Sequence, residues 1–271
     1  MNAFAFPKVE PEILPSVDKS AVRQAFSRAA ESYDASAAFQ RDVGNHLLTL
    51  LPDIRESVVL DLGCGTGFFT EKLSEKANTV IALDLSEAML EKAKARCGGS
   101  VQYLSADAEC LPLQSESVDI VFSSLAVQWC DDLADVFSEI KRVLKPGGIA
   151  VVSTLLDGSL YELKDAWLQV DSGQHVNRFL SESEVLLAFE KAEIRNFDLS
   201  NKRFTLSYSS GLSLMRDLKG IGATHLTDGR SRGLSGKAKF RELEAAYGKY
   251  RNKDGNLPAT YQVGVGVIKS D

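Results

Sequence analysis

Apolar and polar positions follow two different periods along the chain. In residues 20–51, SAVRQAFSRAAESYDASAAFQRDVGNHLLTLL, Val22, Phe26 and Ala30 recur every fourth position, as do Ala25, Ala29 and Tyr33. That spacing lines up one face of a helix. A break near Tyr33-Asp34-Ala35-Ser36 is expected to split the stretch into two helices. Residues 1–18 hold three prolines and little periodicity, and read as a loose lead-in.

From residue 57 the pattern changes. SVVLDLG reads as a short apolar strand, and a helix is expected over about 68–76. NTVIALDLS is a second strand, followed by a helix over 86–97. VQYLSAD and SVDIVFSSLA are the third and fourth strands. LADVFSEIKRVL is an amphipathic helix stopped by KPGG, and IAVVSTL is the fifth strand. Strands alternating with helices build parallel βαβ units, so both faces of the sheet must be covered.

Beyond residue 157 the spacing predicts a helix over about 159–170 and a second over 181–191, opened by the capping box Ser181-Glu-Ser-Glu184. IRNFDLSNKRFTLSYSS supplies a strand, SGLSLMRDLKGIGA begins as helix, a further helix covers 235–250, and ATYQVGVGVIKS alternates as the last strand. The stretch KGIGATHLTDGR (219–230) is too broken by glycine for helix and too polar for core. The expected class is α/β: a Rossmann-like, seven-stranded, mostly parallel sheet with helices on both faces. We expect one domain over 1–271. Within it, 1–54 form N-terminal covering helices, 55–156 the cofactor-binding core and 157–271 an acceptor-side part. A helical insertion over about 210–257, before the last strand, would act as a lid.

Composition adds three points. With 44% apolar and 25% charged residues among 271, the chain can bury a substantial core. No apolar run approaches the roughly 18 residues of a membrane span, so a cytoplasmic protein with neither membrane nor nucleic acid as partner is expected. Cys64, Cys97, Cys110 and Cys130 form no C-x-x-C pair and have no metal-like spacing with histidine. They are expected as free thiols, and no metal is expected.

The strongest motif is VVLDLGCGTGFFT (58–70), a strand running into Gly63-x-Gly65-x-Gly67 and then a helix. Missing side chains let backbone N–H groups and the helix N-terminus approach a ligand. Asp84 ends the next strand, where an acid accepts both hydroxyls of a ribose. Asp107 ends the third, where an adenine amino group can be read, and Asp61 is placed to meet a positive charge beside the loop. The glycine spacing is not the dinucleotide G-x-G-x-x-G.

This constellation, together with RVLKPGG before the fifth strand, resembles the Rossmann-like S-adenosylmethionine-dependent methyltransferases over about residues 55–156. The resemblance implies S-adenosyl-L-methionine as cofactor, with Asp84 on the ribose. It places Leu85 and Met89 flanking the adenine, Asp107 and Ala108 on its amino edge, and the loop Ser123 to Leu125, including Ser124, against the methionine part. Gln128 and Trp129, in SSLAVQWCDDL, fall where acceptor-side residues often sit. Tyr33 lies in a segment similar to the cofactor-covering helix of several small-molecule methyltransferases, and is expected as its pocket residue on the acceptor side.

Four segments together, AFSRAAESYDASAAFQR, SLAVQWCDDL, LKGIGATHLTDGR and LPATYQVGVGVI, resemble the malonyl-[acyl-carrier protein] O-methyltransferases of biotin synthesis. That likeness implies methyl transfer to the free malonyl carboxylate. It also implies malonyl-acyl carrier protein as partner. A carboxylate with a reference pKa near ~4 is ionised at neutral pH, so no general base is required. What is required is alignment, removal of water and a donor for one carboxylate oxygen, a role for which arginine is suited.

Charge is distributed to match. Net charge is −6, but residues 201–255 hold 12 Lys or Arg and 5 acids, leaving that segment at +7 and the remainder at −13. A basic segment can steer and dock an acidic carrier. His225 and Arg230 within it are the candidates for the malonyl carboxylate or the pantetheine arm. Two other readings stand beside this one: a C- or O-methyltransferase on a small apolar acceptor such as a quinone precursor, and a non-catalytic cofactor-binding module.

Overall fold

The computed structural model describes residues 17–223 and 236–271. Its centre is one seven-stranded sheet in the order β3-β2-β1-β4-β5-β7-β6. The strands are β1 (Val58–Leu62), β2 (Thr79–Asp84), β3 (Val101–Ser105), β4 (Val118–Ser124), β5 (Leu144–Leu156), β6 (Phe197–Tyr208) and β7 (Leu257–Lys269). The first five pair in parallel, and β7 runs antiparallel between β5 and β6. The order reverses direction between β1 and β4, so the crevice beyond the carboxyl ends of these two strands is where an open α/β sheet accepts a ligand.

Side-chain alternation sends successive strand residues to opposite faces. Val59, Val80, Ala82, Ile120 and Phe122 join one buried core, while Leu60, Leu62, Ile81, Leu83 and Val121 join the other. Both faces are therefore apolar, as the near-continuous apolar strand sequences require. α6 (Leu133–Val143) and α8 (Glu182–Lys191) cover the second face, with Phe137 stacked on Phe189 at 4.2 Å. α8 opens with the expected capping box: Ser181 accepts from Glu184 N, and the Glu184 carboxylate accepts from Ser181 N. α4 (Phe68–Ser74), α5 (Glu87–Cys97) and α7 (Tyr161–Leu168) complete the covering between strands.

Three local differences from the sequence reading have physical causes. The N-terminal stretch breaks twice, giving α1 (Lys19–Ala29), α2 (Tyr33–Ser36) and α3 (Ala38–Leu48). The Tyr33–Ser36 segment expected as a break is itself a helical turn, held by Arg41 Nη1 donating to Asp34 O at 2.6 Å. KPGG lies inside β5 as a bulge, where the register steps from Val118↔Leu144 to Ile120↔Ile149 and Gly147 takes φ +76°. Lys219 and Gly220, expected outside helix, form the last turn of α9 (Gly211–Gly220).

α9 and α10 (Gly236–Tyr247) intervene between β6 and β7. The end of α9 packs against the N-terminal helices. Ser32 Oγ donates to Gly220 O at 2.9 Å, and a Cβ on Gly220 would stand 2.2 Å from Ser36 Oγ. Gly222, at φ +78°, lies where a Cβ would meet Ala25 O at 3.1 Å. The glycines of KGIGA are thus close-approach positions that let α9 settle on α1 and α2. All four cysteines are free. Among the described residues no helix is long and apolar enough to cross a membrane.

Candidate active site

Two cavities open at the carboxyl ends of the strands and share a wall made by Phe26, Tyr33, Leu125 and Trp129. The first is built from the glycine loop and the ends of β2 to β4. Gly63, Gly65, Asp84, Leu85, Met89, Asp107, Ala108 and Ser124 all line it. It encloses about 740 Å³ including the space at its mouth, a size suited to a small-molecule ligand.

The glycines are needed for three different reasons, and all have positive φ. A Cβ on Gly63 would lie 2.2 Å from Ala126 Cβ, so that position lets the turn after β4 approach. At Gly65 a Cβ would meet nothing within 4 Å, leaving the cavity floor open. Gly67 caps α4 in the left-handed region and packs on Ala93, 2.8 Å from a would-be Cβ. Gly67 therefore stands behind the cavity and does not line it.

Asp84 is fixed by its own turn. Its Oδ2 accepts from Gly65 N at 2.9 Å and its Oδ1 from Ser86 N at 2.8 Å. A carboxylate has about four acceptor sites, so lone pairs remain for hydroxyl donors in the cavity. Burial raises the Asp84 carboxyl above its ordinary pKa, opposed by these backbone donors. Asp61 does not line the cavity. It is 2% exposed, accepts from Thr70 Oγ1 at 2.6 Å, and is pushed up to about 7 by burial, an effect Thr70 opposes and the nearby Asp84 charge reinforces. Asp61, buried, and Asp84, half-buried, stand beside one cavity and favour a cationic ligand.

Asp107 is already engaged. Its Oδ1 accepts from Glu109 N at 3.0 Å, and its Oδ2 from Lys19 Nζ at 2.5 Å. Lys19 also pairs with Glu109. Burial alone would lower the Lys19 ammonium pKa, but these two carboxylates raise it above the ordinary value. A lysine from α1 therefore covers the edge of the cavity where sequence places an adenine.

The second cavity encloses about 660 Å³ and is mostly apolar. Tyr33 and Trp129 stand at the shared wall, and Gln128 lies further in. Phe26 meets Trp129 edge-on at 5.3 Å. Burial, and then the Asp84 and Asp34 charges, hold the Tyr33 hydroxyl protonated far above neutrality. Leu125 and Leu160, both lining this cavity, adopt positive φ of 53° and 55°. Such conformations cost non-glycine residues energy and persist only where surroundings fix them. Leu125 N is held by Ser153 Oγ at 3.0 Å and Leu160 N by Thr260 O at 2.6 Å. Leu218, Ile221 and Ala223 bring the α9 end to the same cavity.

His225 and Arg230 lie outside the described residues. Among the described residues no lysine or arginine lines the second cavity. Sequence reasoning also passed over Gln40 and His175, which do line it. His175 stacks on Trp167 at 3.8 Å and pairs through Nε2 with Asp171 at 2.6 Å. Gln40 lies within the quoted segment AFSRAAESYDASAAFQR but is not set apart in it, and no motif marks His175.

Comparison with known proteins places this arrangement. A family model described as a methyltransferase domain matches residues 60–152. A malonyl-[acyl-carrier protein] O-methyltransferase of Serratia marcescens is 46% identical, the match covering 93% of this chain and 96% of that protein. A biotin biosynthesis bifunctional protein of Cellvibrio japonicus is 41% identical over 92% of this chain and 49% of its own length. Among solved structures, the YcgJ protein of Bacillus subtilis superposes with a TM-score of 0.61 at 19% identity, covering 85% of this chain and 98% of that one. That last likeness concerns the fold.

Proposed function

The chain belongs to the malonyl-[acyl-carrier protein] O-methyltransferase family, and from that premise we propose that it methylates the free carboxylate of malonyl-acyl carrier protein. The product is the malonyl methyl ester from which pimeloyl assembly for biotin begins. S-adenosylmethionine, when bound, supplies an electrophilic methyl group on a cationic sulfur.

The glycine-loop cavity fits that cofactor. Asp84 accepts from ribose hydroxyls, Asp107 and Ala108 meet the adenine amino edge, and Leu85 and Met89 flank the ring. Gly63, Gly65 and Ser124 leave room for the amino-acid part. Asp61 acts from behind through its charge, and Gly67 by seating the loop on α5.

The acceptor occupies the second cavity. The observation that carries the reading is the shared wall of Phe26, Tyr33, Leu125 and Trp129. Among the described residues these four are the ones the two cavities have in common, so ligands in the two would meet at this wall. The apolar lining strips water from the carboxylate, which raises its nucleophilicity toward a sulfonium. A C–O bond forms as the C–S bond breaks, and no proton moves, so no side chain need act as base.

The carrier docks on the basic segment. Lys239, Lys249 and Arg251 are consumed by Asp171, Asp165 and Glu244. Lys202, Arg203, Arg216, Lys219, Arg241 and Lys253 are exposed and make no ion pair among the described residues. Their charge suits an acidic carrier, and α9 and α10 serve as the lid through which its arm enters.

The deciding assay incubates the protein with S-adenosylmethionine and malonyl-acyl carrier protein and reads the intact carrier by mass spectrometry. A gain of about one methylene, lost on alkaline hydrolysis, is expected. Transfer only to free small molecules would sink the reading.

A further inference from the structure

The acceptor cavity contains an amide with nothing to bond. Gln40, on α3, lines it, and Gln40 Oε1 is buried without a hydrogen-bond partner. Neither end of this amide has a partner among the described residues. A buried unsatisfied polar atom is costly and calls for an explanation. The amide can turn about its last bond, so the buried position can present either an acceptor or a donor.

A second amide lies in the same cavity, already oriented. Gln128 Oε1 accepts from Leu155 N at 3.3 Å, which leaves both Nε2 protons of Gln128 free. Of the other polar residues lining the cavity, Asn177 and Tyr261 lie away from the shared wall. His175 has its Nε2 on Asp171, and Tyr33 reaches both cavities.

We propose that the carboxylate of the acceptor is received by the neutral side-chain amides of Gln40 and Gln128, and that their neutrality is part of the catalytic design. The inference rests on reading this cavity as the acceptor site. An anionic carboxylate and a cationic sulfonium cancel as the methyl moves. A fixed lysine or arginine would grip the anion in the ground state and lose that attraction in the transition state. Only interactions that survive or strengthen in the transition state accelerate the reaction. Amide donors hold the carboxylate by weaker, less charge-dependent bonds, and one oxygen stays free to attack. The two amides are positioned to choose a carboxylate-bearing acyl group over an otherwise identical one without it.

The test compares the wild-type enzyme with Gln40→Leu, Gln128→Leu and Gln40→Lys. Steady-state methyl transfer to malonyl-acyl carrier protein is measured, with acetyl-acyl carrier protein as competitor and S-adenosylhomocysteine binding as a fold control. The leucine variants should raise KM at least ten-fold and lose the preference for malonyl over acetyl carrier, with cofactor-product binding unchanged. Gln40→Lys should lower KM and kcat together, a split that a packing defect does not produce. If the wild type methylates malonyl carrier and both leucine variants keep the malonyl preference, the amide inference is overturned alone. It is likewise overturned if Arg230→Ala abolishes that preference while the leucine variants retain it. If the wild type leaves malonyl carrier unmodified, the reading beneath falls, and the inference with it.

Discussion

Thr66 Oγ1 donates to Asp34 Oδ1 at 2.6 Å, joining the glycine loop to the N-terminal helices across 32 residues of sequence. Arg96 on α5 closes the triangle. Its Nη1 donates to Thr66 O at 3.0 Å, and its Nη2 pairs with Asp34 Oδ2 at 2.5 Å. Tyr33 is the neighbour of Asp34, so this clamp sets the tyrosine between the two cavities.

Removing the clamp should therefore cost function more than stability. The Arg96 and Asp34 side chains are 24% and 43% exposed, so the ion pair is screened and its loss should destabilise by about 1 kcal/mol. Asp34→Ala should still weaken S-adenosylhomocysteine binding several-fold and lower turnover more, because Tyr33 loses its seat. Calorimetric titration and thermal melts on the same preparation check this. A loss of stability without loss of affinity would contradict it.

Asp84 should dominate cofactor affinity. Hydrogen bonds to a charged acceptor contribute about 1.5–3 kcal/mol each, so Asp84→Ala should weaken cofactor binding by about ten-fold or more. The variant also removes the acceptor for Gly65 N and Ser86 N, which loosens the glycine loop. Asp84→Asn, which keeps one acceptor oxygen, should fall between. Equal affinities for all three proteins would remove Asp84 from the site.

Cofactor binding should release protons below neutral pH. Asp61 is raised to about 7 in the fold, above its unfolded value. Its contribution to stability is thus fully present below about pH 4 and is lost as pH rises through about 7. A cation bound in the adjacent cavity favours the ionised carboxylate and drives the proton off. Affinity for S-adenosylmethionine should rise with pH up to about 7 and then level. Titration calorimetry in buffers of different ionisation heat counts the released protons. Asp61→Asn, which keeps an acceptor for Thr70, should flatten the profile.

Carrier docking should depend on exposed charge on α9. The double reversal Arg216→Glu with Lys219→Glu should raise KM for malonyl-acyl carrier protein about ten-fold at low salt. The difference should shrink as salt screens it. With malonyl-pantetheine, which lacks the acidic carrier, the same variant should match the wild type. A comparable loss with both acceptors would show damage to the cavity wall at Leu218 instead.

Gly222 tests whether α9 must close on α1. Its φ of +78° and the 3.1 Å approach to Ala25 O leave no room for a side chain. Gly222→Val should destabilise by about 1–2 kcal/mol, and hydrogen exchange should accelerate at the end of α9 before it does in the sheet.

The sheet and its cofactor edge were legible in the sequence because both are local. Strand alternation, the glycine loop and the acid at each strand end lie within segments of a few residues, and backbone geometry fixes where their side chains point. That is why β1 to β4 and the IAVVSTL part of β5 fall where the periodicity puts them, and why Asp84 and Asp107 reach one cavity. The basic segment was visible too, although three of its basic residues turn out to be neutralised by Asp171, Asp165 and Glu244.

The second cavity was decided by tertiary structure. Its wall draws Gln40 from α3, Gln128 from the turn after β4, His175 from the loop beyond α7 and Tyr261 from β7. Gln128 was a candidate from its place after β4, but Gln40, His175 and Tyr261 share no period with it, so nothing in the linear pattern assigns them to one wall. They converge because two apolar sheet faces must be covered, and the N-terminal helices and α9 meet over one of them. The sequence determined what the protein can bind as a cofactor. The packing of distant helices against the sheet decided which polar groups are left facing the second cavity.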